Sequence, residues 1–507
     1  MVARDSFSLL WLLCSLCSCA ARPFESHYQE HLGRALAPAA TLPSRFPPSQ
    51  QGTLSRLPAS CELAVVGAGW AGTYLAWRLA VDSSTLNASS ICVFEANGRV
   101  GGRVFSVRSL PGLSDLAIDV GAYRFQQRQK LPADLIRYAL KLPVACYDYS
   151  CAPECEGDVC LVMKDVYGNN RGYATGVEEM LSQLEAAGAG KQVYFGAELT
   201  GVLPAVGRST RLNFANGESV NAHKAVLNLP GSALERLAQS SVIFNDSSER
   251  TRRWLGEVKV IALTKVYAWY EDAWWSSKMG LMEGYFNTTD KDSSAPLLGR
   301  YHDGPLRCVI GKDSAGASLT ECHDALTNCL PVYSGFKMPY ANCSGALEVY
   351  FGLAPLYYTR LMRSQAEPLA VFTADEGSAA SKKLLTDVHA QLMRFHADKL
   401  RQKGVDPASI LPPKTVVMGN WISDAPYNPG IGYINVPPST QDQARKLVRA
   451  PCPNYDVFVA DQDYGYVTGW AVGSLMMAEK ILQSEFGLPK PKWLDASWYE
   501  ENILAHP

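Results

Sequence analysis

The sequence predicts an α/β fold with parallel strands at its centre, and three neighbouring features support this prediction. An apolar strand, Leu63–Val66, leads directly into a glycine-rich stretch, Gly67–Gly72. The residues that follow are apolar at helical spacing, and a second apolar strand, Ile91–Phe94, ends at Glu95. A strand, a helix and a strand in this order form a βαβ unit, in which the two strands run parallel.

The glycine-rich stretch has the pattern of a dinucleotide-binding turn. Gly67 permits the tight turn, Gly69 lets backbone amides approach a pyrophosphate, and Gly72 lets the helix pack closely on the strand. Glu95 can accept hydrogen bonds from a ribose, and the helix N-terminus favours a phosphate. The flanking strands and the spacing to the acid favour this interpretation over a glycine-rich turn without a ligand.

A second glycine run, Gly98–Val104, follows the acid and contains two arginines, Arg99 and Arg103. Cationic side chains and bare backbone are thereby expected to converge on the same phosphates. Together the two runs resemble the flavin-containing amine oxidase family, which includes monoamine, polyamine and L-amino-acid oxidases. The resemblance implies FAD rather than NAD. The FAD contacts that it implies in the two runs are Gly67, Ala68, Gly69, Ala71, Gly72, Glu95, Ala96, Arg99, Gly101, Gly102 and Arg103.

Composition gives an ordinary globular balance, with 507 residues, 47% hydrophobic residues and a net charge of −2. This charge gives no indication of a nucleic-acid partner. Near the N-terminus, Arg4 precedes a short apolar run that ends in small residues, which predicts a signal peptide over 1–21 rather than a membrane span. Residues 22–58 have no periodicity and are predicted to be a mobile leader. The alternative for residues 1–21 is an uncleaved anchor or an organellar transit segment.

Glycosylation sequons and cysteines agree with secretory entry. The sequons begin at Asn87, Asn245, Asn287 and Asn342. Of 14 cysteines, three lie in the signal segment, and two clusters stand out, Cys146–Cys160 and Cys308–Cys343. Neither cluster has a CxxC pair, so disulfides in polar loops are preferred over metal sites, and no metal is expected. The odd number of cysteines in the mature chain leaves at least one free or paired with another molecule.

The stretch Ala117–Phe125 is followed by a predicted helix over about 132–142. Within it, Gly121-Ala122-Tyr123-Arg124 resembles a run of the L-amino-acid oxidases and tryptophan monooxygenases, in which the arginine pairs with the substrate carboxylate. A planar guanidinium suits a carboxylate because two parallel hydrogen bonds can form. The alternative is that Arg124 pairs with a structural acid or with FAD, and these four residues are also expected near the flavin.

The middle of the chain is predicted to contain a helix from Gly172 to Ala186, a β region over 192–214, and a strand, Ala225–Pro230. This last strand resembles a strand-plus-proline element on the adenine side of FAD. A buried strand without cofactor contact is nearly as good an interpretation. Further on, a strand over 347–352 and a long helix over 378–403 are expected, the helix burying Leu384, Leu385, Val388, Leu392 and Phe395.

Lys265 is the candidate catalytic lysine. It lies inside the aromatic-rich strand 260–270, which ends near Trp274-Trp275. A lysine in such a strand is costly unless its ammonium reaches water, a partner or a lowered pKa. In the family an equivalent lysine holds a water against flavin N5. The alternative is a lysine of an edge strand that faces solvent.

Two C-terminal elements resemble the parts of the family that return to the flavin. Trp421 and the run 426–433 resemble the element near the isoalloxazine ring, and Gly432 stands where monoamine oxidases carry the cysteine that binds FAD, so FAD is expected to be non-covalent. The run Gly469-Trp470-Ala471 matches the start of the last helix. Tyr433 and Trp470 are expected to flank the substrate.

The loop between these elements departs from the family. The family has Gly-Glu where this chain has Asp461-Gln462, which are still expected to contact FAD. The chain is predicted to begin with a signal peptide (1–21) and a leader (22–58). Three FAD-binding segments (59–122, 191–256 and 416–485) alternate with two substrate segments (123–190 and 257–415), and a C-terminal tail (486–507) follows. The fold class is thus a Rossmann-like FAD-binding domain from discontinuous segments, with a mixed-sheet and helical substrate domain.

The leading functional hypothesis is a secreted FAD-dependent oxidase of L-amino acids that uses O2 and forms H2O2, a keto acid and ammonia. Arg124 would anchor the carboxylate, Lys265 would hold the water, and Tyr433 with Trp470 would form the walls. The same machinery acting on an amine or polyamine, a degenerate FAD-binding glycoprotein and a desaturase or isomerase are the alternatives. A small-molecule substrate, no nucleic acid and no membrane span are expected, and a homodimer is left open.

Overall fold

The computed structural model describes residues 56–83, 86–108, 110, 117–147, 159–162, 171–189, 193–281, 284–288, 295–301, 303–312, 318–323, 343–353, 355–361, 368–422 and 429–506. The expected signal peptide, nearly all of the leader, Cys151, Cys155, Cys329, Asn342 and the run 426–428 lie outside these residues.

The strands of this part of the chain are numbered in chain order. The strands in the N-terminal half are β1 (Ser60–Val66), β2 (Ile91–Glu95), β3 (Ser106–Val107), β4 (Ile118–Asp119), β5 (Phe125–Gln126), β6 (Val144–Cys146), β7 (Val159–Val162), β8 (Val193–Phe195), β9 (Leu199–Pro204), β10 (Thr210–Phe214) and β11 (Ser219–Leu227). The later strands are β12 (Val258–Ile261), β13 (Leu263–Tyr270), β14 (Tyr285–Asn287), β15 (Leu298–Arg300), β16 (Leu306–Lys312), β17 (Ser318–His323), β18 (Cys343–Leu353), β19 (Leu369–Thr373), β20 (Thr415–Trp421), β21 (Ile431–Ile434) and β22 (Val457–Val459).

The α-helices are numbered in the same way. They are α1 (Trp70–Asp82), α2 (Lys130–Asp134), α3 (Thr175–Leu184), α4 (Gly231–Leu234), α5 (Val242–Asn245), α6 (Glu249–Leu255), α7 (Trp274–Ser277), α8 (Leu356–Thr359), α9 (Ala379–Gln402), α10 (Gln441–Arg449), α11 (Ala471–Phe486) and α12 (Ala496–Tyr499). Short π-helical turns extend α2, α3 and α12 to Ala139, Ala189 and Leu504. The helix predicted over 132–142 therefore begins earlier and ends at Ala139.

The first sheet has the strand order β8-β2-β1-β11-β10-β9, and β22 also pairs with β11. The contacts of β8 with β2, β2 with β1, β1 with β11 and β11 with β22 are parallel. Strand β1 is apolar and buried over its last four residues, as expected for a strand that is covered on both faces. Helix α1 connects β1 to β2, so the predicted βαβ unit is present.

The second sheet is antiparallel and has the order β14-β15-β18-β13-β20-β19, with β16 and β17 at its side. Helix α9 packs on this sheet through Leu384, Leu385, Val388 and Leu392, which are buried together with Val266 and Ala268 of β13. Phe395 was expected on the buried face of α9, but 43% of its surface is exposed. It lies at the edge of the apolar stripe, since the next residue, His396, is buried in its place.

The strand predicted over 260–270 is in fact two strands. Strand β12 pairs with β21, whereas β13 lies between β18 and β20 in the second sheet. Ala262, the single residue between them, separates these two sets of partners. Trp274 and Trp275 do not close the strand but form the short helix α7, and both are completely buried.

The second sheet packs against the segment that follows β4. The indole Nε1 of Trp421 donates to the Val120 carbonyl oxygen at 2.7 Å. A side chain at Gly419 would collide with Val120, so only glycine allows β20 to lie this close to the segment. The predicted site residues Gly121 to Arg124 therefore directly follow a segment that the second sheet contacts.

The C-terminal residues 486–507 were expected to be a tail, but several of them pack against helices α1 and α11. Leu488, Leu494, Tyr499 and Ile503 are buried in the same hydrophobic cluster as α1 and α11. Beneath them, the Arg78 guanidinium of α1 is buried against Glu479 of α11 at 3.3 Å. Within the described residues, no helix is long and apolar enough to cross a membrane.

The cysteines form disulfides that differ in part from expectation. Cys61 and Cys92 are bonded and link β1 to β2. This pair was missed because both cysteines lie inside buried strands, away from the two clusters. Cys160 and Cys343, one from each cluster, are also disulfide-bonded, but they lie in β7 and β18 rather than in polar loops. Cys452 is free and buried.

We expect the bond between Cys61 and Cys92 to contribute substantially to stability. It closes a loop over a sequence separation of 31 residues, for which loop-closure entropy gives roughly 3–4 kcal/mol. The variant Cys61→Ala/Cys92→Ala should therefore unfold at a clearly lower urea concentration, with Cys452→Ala as the matched cysteine control. Equal midpoints for the double variant and the wild type would show that the bond contributes nothing.

Candidate active site

The glycine turn between β1 and α1 has a backbone that only glycine can adopt. Gly67 has a φ of +101°, and a side chain there would collide with the Asn228 carbonyl. A side chain at Gly72 would collide with the Gly67 carbonyl oxygen. The Asn228 amide, just after β11, donates to that same oxygen at 3.1 Å. Asn228 therefore supports the turn, a role that sequence analysis did not assign.

The second glycine run lies directly against the first. The Gly101 amide donates to the Ala68 carbonyl oxygen at 2.8 Å. The Glu95 carboxylate accepts from the amides of Ala68 and Asn97, each at 2.9 Å, which fixes it at the end of β2. Helix α1 begins after Gly69 and has no side chain capping its N-terminus, so its first turn can bind an anion.

These residues fit a dinucleotide cofactor such as FAD. The glycine cradle would receive the pyrophosphate, and Glu95 retains free lone pairs for a ribose. Ala71 and Gly72 stand in the first turn of α1, and Ala96 follows Glu95. The fit therefore rests on bare backbone, a free helix N-terminus and one fixed carboxylate.

The two arginines of the second run do not point to one common place. Arg99 donates to the Gly102 carbonyl at 2.7 Å and lies 4.1 Å above the Phe105 ring. Nη2 of Arg103 donates to both carboxylate oxygens of Asp461, at 2.8 and 3.0 Å, and its Nη1 forms a second ion pair with Asp463 at 2.6 Å. Arg99 thus holds the loop, and Arg103 joins it to the C-terminal segment.

The departure at Asp461-Gln462 has a structural counterpart in this ion-pair cluster of Arg103, Asp461 and Asp463. Gln462 donates to the Gly432 carbonyl at 2.5 Å, and Asp463 accepts from the Gly231 amide at 3.0 Å. Burial and the neighbouring Asp463 raise the pKa of Asp461 to about 7, although Arg103 opposes this. One guanidinium thus serves two carboxylates.

Gly432 also fits the expectation of non-covalent FAD. A side chain there would collide with the Asp463 carboxylate. A cysteine at this position would therefore need a rearrangement of the ion-pair cluster, and the sequence has no cysteine at this position.

Lys265 lies on β13 and is buried, not facing solvent. Its ammonium donates to the Asp119 carbonyl at 2.9 Å and lies 3.6 Å from the centre of the Tyr123 ring. Burial lowers the pKa of Lys265 to about 8, while the carboxylates of Glu348, Asp119 and Asp303 partly offset this effect. Its amine can therefore give up or hold a proton near neutral pH.

Arg124 lies between two aromatic rings. Its guanidinium carbon is 4.7 Å from the centre of the Tyr123 ring and 4.4 Å from that of Tyr147. Within the described residues, the guanidinium makes no hydrogen bond and no ion pair. A half-buried guanidinium without a protein acceptor is a ready binding group for an anion.

A cluster of polar side chains holds the two tyrosines, and sequence analysis missed it. The Asp303 carboxylate accepts from Tyr147 at 2.6 Å and from Tyr123 at 3.2 Å. Arg300 donates to the Tyr147 hydroxyl at 2.9 Å and to Asp303 at 3.2 Å. Glu348 was also missed, although it is charged inside an apolar strand, which is the signal that identified Lys265.

The remaining predicted site residues are Gly121, Ala122, Tyr433, Gly469, Trp470 and Ala471. A side chain at Gly121 would collide with the Arg103 carbonyl, and Ala122 donates its amide to the same oxygen at 3.0 Å. Tyr433 on β21 and Trp470, which precedes α11, are both half-buried. No hydrogen bond or ring contact between described residues joins either ring to Lys265 or Arg124. Gly469 has a φ of +80°, and Ala471 begins α11.

Comparison with known proteins agrees with this architecture. Residues 65–138 match the family model of an NAD(P)-binding Rossmann-like domain. The chain is 37% identical to Achacin from Lissachatina fulica over 79 residues, which is 15% of this chain and 14% of Achacin. A solved structure of putrescine oxidase, from a structure-based redesign of its cofactor binding, matches with a TM-score of 0.50 and 13% identity. That match covers 84% of this chain and 98% of the other.

The predicted fold class is confirmed: a Rossmann-like domain, whose sheet has parallel and antiparallel pairings, is combined with a second sheet and helices, and the fold is similar to that of putrescine oxidase. The family match covers a dinucleotide-binding, Rossmann-like part of this chain, and the structural match shows a fold similar to that of putrescine oxidase. The sequence match spans only 14% of the length of the curated relative.

We expect the ion-pair cluster to make stability depend on pH. Because the pKa of Asp461 is raised to about 7, the unfolded chain loses this proton first as the pH rises. Between roughly pH 4 and pH 7, the free energy of unfolding should therefore fall through this group. In Asp461→Asn this contribution is absent, so urea midpoints should fall less across that window.

Asp456→Asn is the matched control, since Asp456 lies at the surface in an ion pair with Arg208. A wild-type pH slope in Asp461→Asn would contradict the assignment.

Proposed function

We propose that this protein is a secreted FAD-dependent oxidase of L-amino acids. The observation that carries the proposal is Arg124, whose guanidinium contacts two tyrosine rings and has no acceptor among the residues that the structure describes. A substrate carboxylate would supply the missing acceptor through two parallel hydrogen bonds. A simple amine would leave this guanidinium unpaired.

Lys265 is the second residue of the proposed site. Its ammonium and the Arg124 guanidinium both contact the Tyr123 ring, so a substrate bound at Arg124 lies near Lys265. With its lowered pKa, the Lys265 amine would hold a water and exchange a proton at Nζ. FAD, when bound, supplies the acceptor for the hydride and passes the electrons to O2, which yields H2O2.

The aromatic walls and the positioning of the substrate belong to the same proposal. Tyr433 and Trp470 would flank the substrate, and their half-buried rings leave a face for it. The imine product would hydrolyse to a keto acid and ammonia. FAD would be non-covalent, because Gly432 offers no sulfur.

Secretion is supported by two features of the described residues. Cys61, Cys92, Cys160 and Cys343 are disulfide-bonded, as is common in oxidising compartments. The sequon residues Asn87, Asn245 and Asn287 are exposed and could carry glycans.

Oxidation of an amine or a polyamine is the second candidate function. It is favoured by the similarity in fold to putrescine oxidase. In that case Arg124 would have another role, and loss of its guanidinium would leave amine turnover intact.

We expect Arg124→Ala to lower kcat/KM for amino acids by roughly 100-fold. A bidentate charge-assisted pair contributes about 3 kcal/mol, which corresponds to that factor. The measurement is H2O2 release from each of the twenty amino acids and from a set of amines. Arg128→Ala is the matched control, because Arg128 is an exposed arginine of the same segment.

If wild-type protein reduces no bound flavin with any amino acid but oxidises amines, the amino-acid proposal fails and the amine candidate stands. If purified protein shows no flavin absorbance, the protein is instead a glycoprotein of this fold without oxidase activity.

We expect Lys265→Met to keep the flavin spectrum but to slow turnover by roughly 10²–10⁴-fold, the usual size of an acid–base contribution. The pH limb near 8 should disappear with it, because the titrating amine is gone. Lys382→Met, at an exposed lysine of α9, is the control. A Lys265→Met enzyme with the wild-type rate and the same pH limb would remove Lys265 from the site.

A further inference from the structure

A β-bulge determines which side chains of β18 share a face with Lys265. Across the β13–β18 pairing, Lys265 lies opposite Phe351, Val266 opposite Tyr350, and Tyr267 opposite Glu348. Val349 is therefore an extra residue without a partner, and it is buried in the core on the other face. Because of this extra residue, both Phe351 and Glu348 lie on the face of Lys265.

Glu348 is fully buried on that face and only partly hydrogen-bonded. Its Oε1 accepts from the Tyr267 hydroxyl at 3.1 Å, and that hydroxyl also lies 3.4 Å from the Asp119 carbonyl that binds Lys265. Among the described residues, Oε2 receives no hydrogen bond from an N–H or a hydroxyl group. Glu348 also has a side-chain hydrogen bond with the Asp303 carboxyl group, which requires a proton on one of the two carboxyl groups.

The charged groups around Glu348 come from several elements. Lys265 and Tyr267 face it from β13, Arg300 from β15 and Asp303 from the turn after β15, and Asp119 lies on β4, with Tyr123 and Arg124 in the segment beyond. Burial and Asp303 raise the pKa of Glu348 to about 8, whereas Lys265 and Arg300 lower it. Glu348 and Lys265 thus change protonation in the same pH range, each affecting the other.

We propose that Glu348 is a positioning residue for Lys265: its carboxyl charge sets how firmly Lys265 holds its proton, and its bond to Tyr267 fixes the face on which both lie. The proposal rests on the oxidase function proposed above, in which the Lys265 amine acts. Glu348 itself acts through Lys265 and need not touch the substrate.

The test is the pH dependence of kcat/KM in Glu348→Gln, with the amino acid or amine that the wild type oxidises. The limb that is absent from Lys265→Met is assigned to Lys265. In Glu348→Gln this limb should move to lower pH by about one unit, since a nearby carboxylate stabilises the ammonium by at least that amount. KM should change less than kcat, because Arg124 is untouched.

The matched control is Glu479→Gln, which removes another fully buried carboxylate, the one bonded to Tyr74 in the helix interface. It should lower the urea midpoint without moving the limb. If Glu348→Gln lowers stability and leaves the limb in place, Glu348 has a structural role only, and the proposal is overturned.

A second measurement needs no activity and keeps the two proposals distinguishable. Urea midpoints of Lys265→Met, Glu348→Gln and the double variant, at a pH below and a pH above 8, form a double-mutant cycle. We expect the loss in the double variant to be smaller than the sum of the single losses. Additive losses at both pH values overturn the coupling, whereas non-additive losses in a protein without turnover retain it and reject only the oxidase function. Glu348→Met, which also removes the carboxyl charge, replaces Glu348→Gln in both tests if the latter does not fold.

Discussion

The site depends on the close approach of the second sheet to the backbone after β4. Lys265 and Trp421 donate to neighbouring carbonyls there, those of Asp119 and Val120, and Gly419 leaves room for both contacts. This approach removes water from Lys265 and places its ammonium on the Tyr123 ring. Since Arg124 is the next residue, the same contact also determines where its guanidinium lies. The guanidinium of Arg124 and the ammonium of Lys265 are thus positioned by a single backbone segment.

Buried charge is the second constraint, and the chain handles it in two different ways. Arg103 is fully engaged by two carboxylates, so its charge is used to hold loops together. Around Lys265, by contrast, carboxyl groups lie near, but among the described residues none of them forms an ion pair with the ammonium, which donates to a backbone carbonyl instead. Complete pairing favours structure, whereas incomplete pairing leaves groups that can respond to a ligand.

The sequence predicted those features that a few neighbouring residues determine. The turn at Gly67 was predictable because only glycine tolerates its positive φ, and Lys265 because a charge inside an apolar strand needs a reason. Asp303 and Asn228 were not predictable, since their partners lie far away in the chain and only the packed fold brings them together. The bulge at Val349 was also invisible, because alternation within one strand does not reveal its register with another. The pairing of Cys61 with Cys92 escaped for the same reason.

The ion-pair cluster has a consequence for the order in which this protein is made. Arg103 and Asp461 are separated by 358 residues, so at about 5–20 residues per second the arginine would precede its partner by roughly 20–70 s during synthesis. Cys61 and Cys92, on the strands before and after the glycine turn, are separated by 31 residues and emerge within roughly 2–6 s of each other. The disulfide that links β1 to β2 can thus form early. Arg103, by contrast, stays without its two carboxylate partners until the last tenth of the chain has been synthesised. If synthesis stopped before Asp461, the released chain could already contain this disulfide, but Arg103 would have neither of its carboxylate partners.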